Sequence, residues 1–584
     1  MEVSSGSIDK KQNFEIDVTD VANDDSKIST KLESSIDFAQ VPGTSNLVMM
    51  EKDENGKDKV ILIPTPSDDP NDPLNWTFKR KMLQMFCIIL YCYGGSVPGC
   101  CIYSILPEIA ADPNVNITVS DLNAGTGYSF LFLGLGNLLL LPLAQQYGKR
   151  PVYLIGMLGV ICFNIWQPYI HTNGEWIASK ILNGLFYCTI ESLPEITVTD
   201  MFFEHERATY MGIYGAALFS SNYAAPMLAG FVNDGLGWKW TIIIAVIFGA
   251  VCFVLMFLLM EETNYDRKLR VSKDEDGNII HAITSNVSIE NTNPHQIHSI
   301  TSRVSEKQYL GNQAFLIDET IPIEYPPEKT FLQKMSLTSG FRKEFHLIEY
   351  MKAPFYMLQF PIVLWSGFLY GSSLFWYSVL NGTEAIILGA APYNFSAAMC
   401  GLAYVSPVIF VFVIYPYAAW STDWIKIYIA KKHNGISQAE DRLWVLTVYM
   451  ILGPAALILW GVGAYHGIHW FGVVFGLGLQ AGLCIVGCIS SVTYTLDCYH
   501  EMGVGAITVL VIIRNTMNFA MDYGITAFVT NMGVQNCFIT SAFICFFCIG
   551  TFIVMMFTGF YWRNRTKERY WKIVEHYRSK GIVS

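Results

Sequence analysis

Charge is what this sequence has least of. Only 15% of its 584 residues are Asp, Glu, Lys or Arg, against 52% that are hydrophobic, a balance too apolar for a water-soluble chain of this length. Its solvent must be largely lipid. Also missing are the charged leader, short apolar core and small-residue cleavage site of a signal peptide; a long polar stretch stands at the start instead. The first spanning helix is therefore expected to act as its own insertion signal. No basic face suggests nucleic acid, and the net charge of -11 draws on acids in polar segments, such as Asp20, Asp24, Asp25, Asp68, Asp69 and Asp72. There is no Walker-type phosphate loop, hydrolase elbow or kinase signature, and no nucleophile beside a base in a recognisable arrangement. The expectation is a protein that is neither an enzyme nor an ATP-driven pump and that needs no cofactor. Most of the fourteen cysteines, among them Cys87, Cys92, Cys162, Cys252, Cys484 and Cys545, lie inside apolar runs, where cysteine behaves as a small hydrophobe. Cys545 and Cys548 form the one Cys-x-x-Cys, with no histidine at ligand spacing, so no metal site is expected.

What is present is a series of apolar runs, each long enough to cross the hydrocarbon as a helix of about 20 residues. Six lie near 82–106, 122–145, 151–171, 176–199, 209–232 and 238–260, and six more near 355–380, 395–420, 443–465, 469–496, 503–529 and 535–561. These predict an all-α membrane protein of twelve transmembrane helices in two pseudo-symmetric six-helix halves, at 79–260 and 351–561. Residues 1–78 read as a disordered tail, 261–350 as a polar linker and 562–584 as a second tail. Lys and Arg resist translocation. Lys79, Arg80, Lys81, Lys149, Arg150, Arg207, Lys426, Lys431, Lys432, Arg563, Arg565 and Lys567 fall on one side and only Lys239 on the other, so both termini and the linker are assigned to the cytosol. The sequons at Asn116, Asn381 and Asn394 fall in or beside loops placed outside, where glycosylation is possible.

Several stretches between residues 63 and 562 resemble one family. Pro64-Thr-Pro66-Ser-Asp-Asp-Pro70-Asn-Asp-Pro73-Leu-Asn75-Trp76 precedes the first helix, and Pro142-Leu-Ala-Gln-Gln-Tyr147-Gly148-Lys149-Arg150-Pro151 joins the second and third. The fifth helix holds Ala225-Pro226-Met-Leu-Ala229-Gly230, and the loop after the eighth runs from Asp423 through Ala430-Lys-Lys-His-Asn434-Gly435 to Trp444. Together they are similar to the fungal drug:proton antiporter branch of the major facilitator superfamily. Glu191 and Asp200-Met-Phe-Phe-Glu-His205 place the nearest resemblance with the Hol-type histidinol and polyamine transporters of yeasts. The resemblance implies alternating access between two halves, with Gly148, Lys149 and Arg150 in a conformational latch. Gln145 stands where an Asp is usual, so Asp423 is expected to carry that ionic role. Gly148 permits a tight turn, while Lys149 and Arg150 suit the carbonyls of helix C-termini; the two cations could equally serve topology alone. Pro226 and Gly230 read as tight helix packing before any direct role in exchange.

Ionisable side chains inside the spans are functional-site hypotheses by default, since each costs on the order of 3 kcal/mol there. Helix 4 carries Lys180, Glu191 and Glu195; helix 11 carries Arg514, Asn518 and Asp522. Glu191 and Glu195 are four residues apart and are expected on one helix face as proton-coupling groups, with Pro194 opening the backbone between them. Asp522 and Asn518 are expected to join Glu191 at a central cavity, with the two carboxylates roughly 14 Å apart in depth, a span that suits a linear polyamine. Arg514 could instead pair with Asp522 or another acid and serve structure. Tyr91, Tyr93, Trp365, Tyr370, Trp376, Tyr377 and Tyr494 supply aromatic faces for a cation, although lipid-facing packing explains each singly as well.

The leading expectation is proton-coupled movement of organic cations, polyamines foremost, by a monomer in the plasma membrane whose partners are a small organic cation, protons and the lipid bilayer. It requires that Glu191 face a water-accessible chamber without a permanent basic partner. Efflux of neutral hydrophobic drugs, and a nutrient sensor that binds without transport, are the alternatives.

Overall fold

Apolar runs become helices in lipid because no water is there to satisfy the backbone, so each span must close its own hydrogen bonds. The computed structural model describes residues 41–46, 71–264, 270–273, 279–282, 307–310, 313–316, 330, 333, 336, 345–432, 436–580 and 582. The first half comprises α1 (Phe78–Cys100), α2 (Leu106–Ala111), α3 (Val119–Tyr147), α4 (Lys149–Trp166), α5 (Asn173–Tyr187), α6 (Leu193–Met201), α7 (Glu204–Leu236) and α8 (Trp238–Leu259). The second comprises α9 (Leu347–Met357), α10 (Pro361–Gly389), α11 (Ala397–Ala403), α12 (Val405–Lys432), α13 (Leu446–Tyr465), α14 (Trp470–Cys498) and α15 (Gly503–Ser579). Among the described residues eight helices are long and apolar enough to cross a membrane, nine with the bent pair of α9 and α10, and α5 with α6, α7 and the second arm of α15 bring the crossings to twelve. Helix α15 makes two, divided at Gly533, whose φ of 74° no helix tolerates. The outward surface is apolar: Ile155, Leu158, Phe248, Val251, Phe412, Val413, Ile451 and Phe557 are all exposed, as lipid-facing positions must be.

Four boundaries differ from those read in the sequence. The span expected at 176–199 is broken at residues 188–192. The span expected from 355 starts at Pro361, where α10 turns 85° away from α9. The second tail continues as helix to Ser579. Tyr577 there donates to the Glu349 carbonyl of α9 at 3.0 Å, and Lys580 meets the Glu349 carboxylate at 2.9 Å. The 1–78 segment is not uniformly tail, since strand Thr44–Asn46 pairs antiparallel with strand Ile436–Gln438. Two further ladders, Arg270–Lys273 with Ile279–Ala282 and Lys307–Leu310 with Gln313–Leu316, fall in the linker.

Each half has its own buried core, one around Tyr91, Met157 and Trp176, the other around Leu369, Tyr449 and Phe538. A smaller cluster of Tyr103, Tyr223, Tyr404 and Ile485 joins them. Away from the end that carries the basic loops, the halves touch through Asn123, whose amide donates to Thr526 at 3.2 Å, while within the first half Ser104 donates to the Pro226 carbonyl at 2.9 Å. The second contact seats α7 where Gly230 meets the Ala397 backbone of α11.

Candidate functional site: a cavity between the halves

Pro194 creates the site by what it lacks. Without an N–H it cannot bond the Ile190 carbonyl, so the helix stops at a 3-10 turn and restarts at Leu193. The freed carbonyls of Ile190 and Glu191 both accept from the Tyr214 hydroxyl, at 2.9 and 3.0 Å. Asn137 of α3 spans the break, donating to the Cys188 carbonyl and accepting from the Ser192 hydroxyl, each at 2.8 Å. Tyr91 braces the far side through Thr189 at 3.0 Å. A broken helix held in this way is the form in which irregular backbone is tolerated at membrane depth, where it lines a cavity.

That cavity has an empty volume of about 920 Å³ including its mouth, and both halves line it. Glu191 and Lys180 enter from the first half, Arg514, Asn518, Tyr370 and Tyr377 from the second, with Asn183, Asn222, Tyr103 and Phe219 between. Arg514 forms an ion pair with Oε1 of Glu191, and it also donates to Tyr370 Oη at 3.1 Å and Asn515 Oδ1 at 2.7 Å. The other carboxylate oxygen of Glu191 has no partner, and its side chain keeps 13% of its exposure. Among the ion pairs of the described residues, this one joins the two halves. Lys180 has an ion pair with no described residue and lies 4.6 Å from the Trp176 ring.

The expectation of an unengaged Glu191 is thus corrected: Arg514 holds one of its oxygens. Asp522 does not line the cavity. It sits eight residues beyond Arg514, about 12 Å along α15, with its Cβ against Gly127 of α3 and one oxygen without a partner. Glu195 lies past the break rather than on a continuous face with Glu191, and its charge reaches Tyr214 and Tyr415. Three aromatic residues are placed elsewhere. Tyr91 supports the break; Trp376 is buried against Phe375, ring centroids 4.7 Å apart; Tyr494 donates to Glu440 at 3.2 Å, near the basic end. Tyr93 bonds Ser220 and Trp365 bonds Thr551. The sequon at Asn381 is also misplaced, because Asn381 is buried within α10 and accepts from Tyr404.

At the basic end, Gly148 has φ 120°, and a Cβ there would collide with the carboxylate of Glu262. Glu262 instead caps α4, accepting from the backbone N–H groups of Lys149 and Arg150 at 3.0 Å each, as favoured at a helix N-terminus. The Lys149 ammonium pairs with Asp200, and Arg150 donates to the Phe257 carbonyl at the end of α8 at 2.7 Å. Asp200 and Glu262 supply the acids of this loop, where Asp423 had been expected; the Asp423 side chain lies outside the described residues. The second half repeats the arrangement with Asp497, which meets Lys426 at 2.9 Å and Arg442 at 2.7 Å, and with a fully buried pair of Arg563 and Glu440. Glu262, Asn137 and the pairing of Asp200 with Lys149 were missed because a single polar residue carries no periodic pattern. Glu384, buried in α10 with neither oxygen bonded, was missed because the span read in the sequence ends at residue 380, whereas the helix continues to Gly389.

Two helical halves around a cavity crossed by one ion pair fit a membrane transporter. Residues 85–518 match the Major Facilitator Superfamily, and the chain belongs to it. Among its relatives, an MFS-type transporter of Schizosaccharomyces pombe is 27% identical over 88% of this chain and 89% of its own. Protein HOL1 of Saccharomyces cerevisiae is 24% identical over 91% of this chain and 96% of its own. The MFS antiporter QDR3 of Candida albicans is 22% identical over 79% and 74%.

Proposed function

We propose that the protein moves small organic cations, polyamines foremost, in exchange with or alongside protons, by alternating access around Glu191. The observation that carries this is the Glu191 carboxylate, which lines the cavity, is held to Arg514 by one oxygen and has its other oxygen buried without a hydrogen-bond partner. A proton or a substrate ammonium reaching the unpartnered oxygen weakens the hold of Arg514, and with it the ionic tie between the halves. Loss of that tie permits the rocking motion. Because both ligands act on one carboxylate, binding of one opposes binding of the other, which suits exchange of the cation against protons. Tyr377 lines the cavity and offers its ring to the cation, such a contact stabilising by roughly 0.5 to 2 kcal/mol, whereas the Tyr370 ring already lies 5.0 Å from the Arg514 guanidinium. In this reading the basic loops and both termini are cytosolic, the protein sits in the plasma membrane as a monomer, and Asn116 and Asn394, both exposed at the opposite end, are the sequons open to glycosylation.

The test is a proteoliposome assay of labelled spermidine and of a neutral azole under an imposed pH gradient. Spermidine flux that follows the gradient and is blocked by excess unlabelled spermidine is the expected result. Flux of the azole alone would favour drug efflux, and binding without flux would favour a sensor.

A further inference from the structure

Glu384 is the most isolated acid in the described structure. It lies in α10 five residues before Gly389, has no exposed surface, and neither carboxylate oxygen has a hydrogen-bond partner. The groups that face it come from several elements. Glu108 of α2, in the opposite half, acts on it directly and has an unpartnered buried oxygen of its own. Tyr404 lies close, but its hydroxyl already donates to Asn381. Cys400 of α11 lies among Glu384, Glu108 and Asp234, and Asp234 accepts from the backbone N–H of Ala398 at 3.3 Å. No lysine, arginine or histidine among the described residues acts on Glu384.

A buried ionised carboxylate without donors, facing a second carboxylate, is not a stable arrangement. The junction around it is closed by Asn123, which donates to Thr526 across the halves, and by the Tyr103, Tyr223 and Tyr404 cluster. We propose that Glu384 is a second proton site, separate from Glu191, which carries a proton while this end of the two halves is shut and releases it when the end opens. On opening, water reaches the carboxyl, the Oε–H bond breaks, the proton leaves as hydronium and the electron pair stays on the oxygen. Glu108 then repels the new charge and resists reclosure until a proton returns. That this end faces outward rests on the orientation proposed above; the proton site itself does not.

The test needs no substrate, so its failure and that of the transport reading are distinguishable. The full chain is purified in detergent and its thermal unfolding recorded from pH 5 to pH 9. If folding of the closed form requires a proton on Glu384, the folded state binds a proton that the unfolded state has lost, and stability falls as pH rises. Glu384→Gln mimics the protonated acid, and its profile is expected to lie at least about 2 °C above the native one at pH 9 while meeting it at pH 5. Parallel profiles would overturn the proposal. Should Glu384→Gln not yield folded protein, Glu108→Gln decides: removal of the facing charge makes Glu384 easier to ionise, so the loss of stability between pH 5 and pH 9 is expected to shrink, and an unchanged loss counts against the site.

Discussion

Arg514 of α15 and Glu191 at the break between α5 and α6 form an ion pair across the two halves, with the second oxygen of Glu191 left without a partner. Arg514 is anchored independently by Tyr370 and Asn515, so it keeps its place when Glu191 is neutralised. The acid can change partners; the base is fixed.

Replacing Glu191 by Gln is therefore expected to abolish coupled cation transport while leaving folding and membrane delivery intact. Replacing Arg514 by Gln leaves the Glu191 charge buried and unpaired, which costs stability by about 3–5 kcal/mol. The double substitution should recover much of that stability but no transport, with a coupling of about 0.5–3 kcal/mol in a double-mutant cycle. Thermal unfolding and vesicle flux on the four proteins check this, and normal transport by Glu191→Gln would reject the assigned role.

Gly230 presses α7 against the backbone of Ala397 in the other half, where a Cβ finds no room. Backbone cannot swing aside as a side chain can. Gly230→Leu should hold the halves apart at the end away from the basic loops, leaving each half folded. The expected outcome is transport reduced at least about tenfold, a barrier rise near 1.4 kcal/mol. Faster labelling of a cysteine placed at Asn123, relative to the same cysteine in the native background, would locate the opening.

Arg563 holds the N-terminal segment as well as its own half. It pairs with buried Glu440 and donates to the Pro42 carbonyl at 2.6 Å, while Gly43, at φ 82°, lies against Cys498. Arg563→Met strands the Glu440 charge and should cost about 3–5 kcal/mol. It should also free the segment carrying Thr44–Asn46 from its pairing with Ile436–Gln438. Limited proteolysis is expected to cleave near residue 43 faster in the variant, and unchanged cleavage would show that the strand pairing holds the segment alone.

Glycosylation checks the orientation. Asn116 and Asn394 are exposed at the end opposite the basic loops, whereas Asn381 is buried in α10. Substitution of either exposed asparagine by Gln should remove one glycan step on a mobility gel after expression in a eukaryotic host, and substitution of Asn381 should change nothing. Glycans at Asn75 or Asn564, on the basic side, would reverse the assignment.

The spans, their number and the crowding of basic residues at one end were legible in the sequence, because lipid enforces a length and an apolarity that a linear string displays residue by residue. Lys180, Glu191 and Arg514 stood out for the same reason, as charges inside apolar runs. What only the tertiary structure decided was partnership. Glu191 took Arg514, which lies 323 positions away in the numbering, because the break at Pro194 turned it toward the other half. Tyr91, Trp376 and Tyr494 went to helix bracing, core packing and the Glu440 cluster because an aromatic ring reads alike in all three settings. Glu384 and Glu108 meet only because two halves far apart in the chain close on one another, and proximity of that kind leaves no mark on local pattern.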